Sequence, residues 1–133
     1  MEKLNKKTTL WKSNFNVKKY VPKGDLVFPL QQHVGNPAVP VVNKGDKVAV
    51  GQLIAKASGS LSANIHSSIS GTVKGIEDRL TTSGKEEKCI VIENDNLYTE
   101  FEMAEPKPIE LLVKSDIVKL IEAAGVVGMG GAG

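Results

Sequence analysis

Between residues 25 and 94 the apolar residues fall in short, β-branched runs: Leu26-Val27-Phe28, Val39-Pro40-Val41-Val42, Lys47-Val48-Ala49-Val50, Leu53-Ile54-Ala55, Ile69-Ser70-Gly71-Thr72-Val73 and Cys89-Ile90-Val91-Ile92. Turn signals separate them at Gly35-Asn36-Pro37, Asn43 to Asp46, Ser58-Gly59-Ser60, Gly71, Gly75 and Ser83-Gly84. Short strands at this spacing predict a β sandwich or barrel rather than helices. Pro40 has no N–H for a ladder, so its strand is expected at an edge or a bulge.

The flanks read differently. Residues 1–24 are polar and basic, with Lys3, Lys6, Lys7, Lys12, Lys18, Lys19 and Lys23 around scattered apolar points at Leu10, Trp11, Phe15 and Tyr20. They predict a solvated arm whose aromatic residues pack on the following domain. Residues 96–114, with Glu100, Glu102, Glu105, Pro106 and Pro108, read as a linker. In residues 115–133, Ser115-Asp116 would cap a short helix bearing Ile117, Val118, Leu120, Ile121 and Ala124 on one stripe, with Gly125 at its stop. A helix of about ten residues is marginal alone, so that stripe is expected to dock on the β domain or on further structure. The whole is mainly β: a domain over 25–95, a linker and a short C-terminal helix.

Composition narrows the classes. The chain has 133 residues, with 41% hydrophobic and 24% charged residues, as expected of one soluble domain. A formal net charge of +2 gives no footprint for nucleic acid. The single cysteine, Cys89, excludes an internal disulfide and a cysteine-ligated metal centre within the chain, and points to a reducing compartment. No apolar run approaches the ~20 residues of a transmembrane helix, and no signal-peptide pattern opens the chain.

The most suggestive chemistry is the run Gly125-Val-Val-Gly-Met-Gly-Gly-Ala-Gly133. Glycines allow close backbone approach, so amides at Gly128, Gly130, Gly131 and Gly133 could meet the phosphate of a flavin or nucleotide. Nothing follows the run for a ligand to sit against, so the chain reads as a fragment with an incomplete loop. His33 and His66 lack the clustered ligands of a metal site and read as histidines bonded to backbone. Ser67, Ser68 and Ser70 lack the strand, elbow and helix of a nucleophile and read as solvent-facing. Cys89 reads as a small core residue rather than a reactive thiol.

Two segments carry a resemblance. Asn43-Lys-Gly-Asp-Lys-Val-Ala-Val-Gly-Gln-Leu-Ile-Ala55 and Ile65-His-Ser-Ser-Ile-Ser-Gly-Thr-Val73 are similar to the two halves of the biotinyl/lipoyl barrel-sandwich hybrid. Carriers of that fold present a modified lysine at the tip, five residues before the isoleucine that opens the second half. Here that position is Ser60; Lys56, the nearest lysine, lies at the end of the preceding strand. A carrier function is therefore not expected, although a stand-alone binding module of this fold is an alternative reading.

Taken with Phe28-Pro-Leu-Gln-Gln-His-Val-Gly-Asn-Pro37 upstream and Glu122 to Gly133 downstream, the four motifs in order resemble the N-terminal part of the RnfC family. That family's members are peripheral, NADH-dehydrogenase-like subunits of ferredoxin:NAD oxidoreductase complexes. The resemblance implies a longer protein that carries flavin mononucleotide, NAD(H) and two iron–sulfur clusters downstream. It also implies partner subunits of a membrane electron-transport complex and a place on the cytoplasmic face of the membrane. Within this chain it assigns cofactor binding to Gly128, Gly130, Gly131 and Gly133, and a non-catalytic docking role to the β domain. The Phe-x-Gly-Gly-x-His-Pro segment common near the family's N-terminus is absent. That absence leaves open two relatives: the electron carrier associated with proline reductase and the cobalamin reductase type.

Overall fold

Leu26–Pro29 opens the fold as β1, followed by β2 (Val39–Pro40), β3 (Lys47–Val48), β4 (Leu53–Lys56), β5 (Ile65–His66), β6 (Gly71–Leu80) and β7 (Glu86–Asn94). A single turn of 3-10 helix at Ile109–Leu111 precedes the only α-helix among the described residues, α1 (Lys114–Ala123). The computed structural model describes residues 20–103, 105 and 107–128.

Every strand pairing is antiparallel, in two sheets ordered β1-β7-β6-β3 and β2-β4-β5. The register lines up Leu26, Ile92 and Val73 across β1, β7 and β6, and sets Phe28 opposite Ile90. Because side chains alternate along a strand, those pairings direct one continuous apolar set inward. They meet Leu30, Val42, Val48, Ile54, Ala55, Ile65 and Ile69 in a single core. Each large aliphatic side chain so buried contributes about 1.5–3 kcal/mol, which is how a chain so poor in aromatic residues holds together. Pro40 lies on β2, an edge strand of its sheet, as its missing N–H requires.

Three sequence expectations need correction. Gly75 is not a break: β6 runs through it, with a register shift between Val73 and Gly75 that bulges the strand at Lys74. The bulge turns Lys74 to an exposed ion pair with Asp25 at 2.8 Å. Ser67 and Ser70 are buried rather than solvent-facing, whereas Ser68 is exposed. Their hydroxyls find partners inside, Ser67 Oγ donating to the Ile69 carbonyl at 2.6 Å and Ser70 Oγ to the Asp95 carboxylate at 2.6 Å. The helix starts earlier than expected, with Val113 at the N-cap. Asp116, in its first turn, accepts the Val113 N–H at 3.4 Å, near the positive end of the helix dipole.

The segment after β7 does not leave the domain at once. Val50 donates to the Thr99 carbonyl at 2.8 Å, and Phe101 donates to the Val50 carbonyl at 2.8 Å, so residues 99–101 run alongside the β domain. Just before it in the chain, Tyr98 Oη and Asn94 Nδ2 both donate to the Pro22 carbonyl. Of the arm's aromatic residues, Tyr20 is exposed rather than packed on the domain, and Trp11 and Phe15 lie outside the described residues.

Candidate functional site

The tip between β4 and β5, residues 57–64, is where this fold would present a carrier lysine. Lys56 is instead the last residue of β4, exposed and paired across the ladder with Val39. Ser60 stands at the tip itself.

The tip is closed by the loop after β1. Asn36 N–H donates to the Leu61 carbonyl at 2.8 Å, Ser58 Oγ to the Pro37 carbonyl at 2.7 Å and Ser62 Oγ to the Asn36 carbonyl at 2.9 Å. Nε2 of His33 lies 3.1 Å from the Ala63 N and 3.0 Å from the Asn36 carbonyl oxygen, so the ring bridges the two loops. Gly35 makes the approach possible. Its φ is +108°, and a Cβ there would overlap the Leu61 carbonyl oxygen.

A second clamp joins the tip to the end of α1. The Asn64 side chain accepts the Ala57 N–H at 2.8 Å and donates to the Ala123 carbonyl at 3.0 Å. After Ala123 the chain turns at Gly125, φ +67°, in a Schellman arrangement: Gly125 N–H donates to Glu122 at 3.1 Å and Val126 N–H to Ile121 at 3.3 Å. The result is a crevice of about 670 Å³ between the tip and the start of the glycine-rich run, lined by His33, Ser60, Leu61, Asn64, Lys119 and Gly125 to Gly128. Of the glycines assigned to cofactor binding, Gly128 lines this crevice; Gly130, Gly131 and Gly133 lie outside the described residues.

His33 and His66 both border a smaller groove beside Phe28 and Gly128. No group of three potential metal ligands occurs among the described residues. His33 is a backbone-bonded histidine, with its ring against the local Asn36 carbonyl at 3.0 Å and the Ala63 N–H, 30 residues away, at 3.1 Å. His66 is a strand residue opposite Leu53. Cys89 is fully buried, its thiol donating to the Glu87 carbonyl at 3.2 Å. Burial first, and the nearby Glu87 carboxylate second, push its pKa above the ordinary thiol value. Near the opposite end of the strands, Ser70 Oγ donates to Asp95 and accepts the Thr99 N–H at 3.0 Å. That hydroxyl, then the Leu97 N–H, hold the Asp95 carboxyl below its ordinary pKa.

Asn64 was not legible in the sequence as a site residue. Its helix partner is 59 positions away, and no local motif announces a side chain that bridges a strand end and a helix end.

Comparison with known proteins agrees with this architecture. A family model described as the RnfC barrel sandwich hybrid domain matches residues 3–97. The chain is 37% identical over 108 residues to a subunit of the Na(+)-translocating ferredoxin:NAD(+) oxidoreductase complex of Acetobacterium woodii, a match covering 80% of this chain and 24% of that protein. It is 45% identical over 117 residues to a subunit of the proton-translocating ferredoxin:NAD(+) oxidoreductase complex of Clostridium ljungdahlii, covering 84% and 25%. A subunit of the ion-translocating oxidoreductase complex of Vibrio cholerae is 36% identical over 111 residues, covering 82% and 14%. The chain thus spans a quarter or less of the length of these relatives.

Proposed function

We propose, on the premise that this chain belongs to the RnfC barrel sandwich hybrid domain family, that it is the scaffold and docking part of an electron-transfer subunit. The subunit would work in a ferredoxin:NAD oxidoreductase complex held at the cytoplasmic face of the membrane. The observation that carries this reading is the closed tip: Ser60 replaces the carrier lysine, and the tip is hydrogen-bonded to the loop after β1 and to the end of α1. Such a domain holds a neighbour in place instead of carrying a swinging group.

The face available for that neighbour is α1. Ile117, Val118, Leu120 and Ile121 are each about half exposed, and no residue of the helix is buried. Leu111, Val113 and Val126 extend the apolar surface on either side. An apolar stripe of this kind marks a contact with more protein, and the remainder of a longer polypeptide is the occupant we assign to it.

Among the described residues no helix is long and apolar enough to cross a membrane. We assign association with a membrane complex to partner subunits. The crevice beside Gly125 to Gly128 has the volume of a small-molecule site, and on that wall the Val127 and Gly128 amides, beyond the two that close the helix, are the ones we assign to a flavin or nucleotide phosphate. A bound flavin mononucleotide would supply the exchange between two-electron transfer from NADH and one-electron transfer to iron–sulfur centres. This chain's own part is to hold the glycine-rich backbone against the tip. Cys89, single and buried, suits no iron–sulfur cluster, so those centres are assigned to other parts of the polypeptide.

Flavin titration tests the reading. The complete polypeptide that carries this chain is expected to bind flavin mononucleotide at micromolar concentration or better, and the 133-residue chain alone to bind neither flavin nor NADH appreciably. Tight flavin binding by the short chain, or none by the complete polypeptide, would overturn it.

A further inference from the structure

We propose that Asn64, at the tip of the β domain, is a positioning residue for the segment 125–128, fixing where that stretch of backbone meets a flavin or nucleotide phosphate. This rests on the binding role given to the segment above. The β domain would then do more than dock a neighbour: it would set the geometry of a site whose ligand contacts come from another element.

The primary amide of Asn64 has one acceptor end and one donor end, and both are committed. The acceptor takes the Ala57 N–H, closing the tip, and the donor reaches the carbonyl of Ala123. That carbonyl belongs to the last turn of α1, where helix geometry leaves oxygens without intrahelical donors. Two residues on, the backbone of Asn64 meets the helix end again: its carbonyl oxygen lies where a Cβ on Gly125 would stand. The side chain and the main chain of one residue thus hold both the end of the helix and the reversal that follows it.

This matters because the helix is only lightly packed: no residue of α1 is buried and its apolar side chains stay about half exposed. The contact at Asn64 ties the helix end to the tip. The chain leaves Gly125 along the crevice wall through Val126, Val127 and Gly128. A displacement of about 1 Å in a positioning element can cost on the order of 100-fold in a site built by it.

Asn64→Asp isolates the latch. The carboxylate still accepts the Ala57 N–H but turns an oxygen toward the Ala123 carbonyl, replacing attraction with repulsion. In the chain itself, hydrogen exchange of the Gly125 and Val126 amides is expected to accelerate by about tenfold, the scale of one lost hydrogen bond, with β6 and β7 unchanged. In the complete polypeptide, flavin mononucleotide is expected to bind about tenfold more weakly by fluorescence titration. Exchange that stays constant, or rises equally in β6 and β7, would overturn the latch. A released latch with unchanged flavin affinity would overturn the positioning role. A complete wild-type polypeptide that binds no flavin would overturn the parent reading and the ligand half of this one, and the exchange measurement tells that failure apart. Asn64→Ala, which removes both ends of the bridge, decides the same outcomes if the aspartate disturbs folding.

Discussion

His33 accepts the backbone N–H of Ala63 at 3.1 Å, joining two loops that lie 30 residues apart in the chain. Ala63 is buried, and loss of this acceptor takes away the protein partner of its N–H. His33→Ala is expected to destabilise the domain by about 1–3 kcal/mol, seen as a lower urea midpoint at constant slope. Ser62→Ala removes one more exposed bond to the same loop and is expected to cost about 0.5–1.5 kcal/mol. Equal midpoints for the two variants would contradict the assigned role of the ring.

Gly35 and Gly45 both have positive φ, +108° and +94°, but only Gly35 has a neighbour where a side chain would go. Gly45→Ala therefore costs the backbone conformation alone, about 1–2 kcal/mol. Gly35→Ala must in addition push the Leu61 carbonyl away and break the Asn36 N–H bond to it, so its thermal midpoint is expected well below that of Gly45→Ala. The reverse order in a calorimetric comparison would show that the tip tolerates displacement.

The Ser70 hydroxyl and the Leu97 N–H favour the ionised form of Asp95 and lower its folded pKa. The sign of the linkage follows: the contribution is present above the carboxyl's unfolded pKa and is lost as pH falls through the lower folded value. Ser70→Ala is expected to raise the Asp95 pKa toward the ordinary value and flatten that part of the acid limb. A carboxyl titration followed by NMR checks it, and an unmoved Asp95 resonance would assign the shift to other groups.

Cys89 has a pKa raised mainly by burial, so at neutral pH it is a covered thiol and not a thiolate. Disulfide exchange with a chromogenic reagent is expected to proceed only as the domain opens, and to become rapid for one equivalent in denaturant. Immediate reaction in native buffer would show an exposed sulfur.

How much of this was legible follows from what each element depends on. β1, β4 and the apolar half of β7 announce themselves because Leu26, Phe28, Ile54, Ile90 and Ile92 serve one core, and their β-branched runs mark it. The outer half of the β6–β7 hairpin does not. Glu77, Asp78, Arg79, Lys88 and their neighbours run beyond the core, held by ladder bonds and exposed ion pairs, and so carry no apolar alternation to read. Burial of Ser67 and Ser70 was hidden for a related reason, since a hydroxyl is silent in sequence about whether water or a buried backbone group satisfies it. Gly125 was readable as a helix stop, but its contact with Asn64 belongs to tertiary structure alone.

The closed tip gives the most direct test of a scaffold against a carrier. Enzymes that modify carrier lysines need the side chain at an exposed, accessible turn, and Ser60→Lys restores the missing residue at that position. In this chain the neighbouring Ser58, Leu61, Ser62 and Ala63 are all bonded to the loop at residues 33–37. The crevice on the other side is bordered by the end of α1, which would crowd an approaching enzyme. Ser60→Lys is therefore expected to stay unmodified when coexpressed with a biotin or lipoate ligase, as read by intact-mass spectrometry. Combining it with His33→Ala and Asn64→Ala, which release both clamps, is expected to increase modification. Full modification of Ser60→Lys with the clamps intact would mean that the hydrogen bonds closing the tip do not separate this domain from a carrier, and that only the missing lysine does.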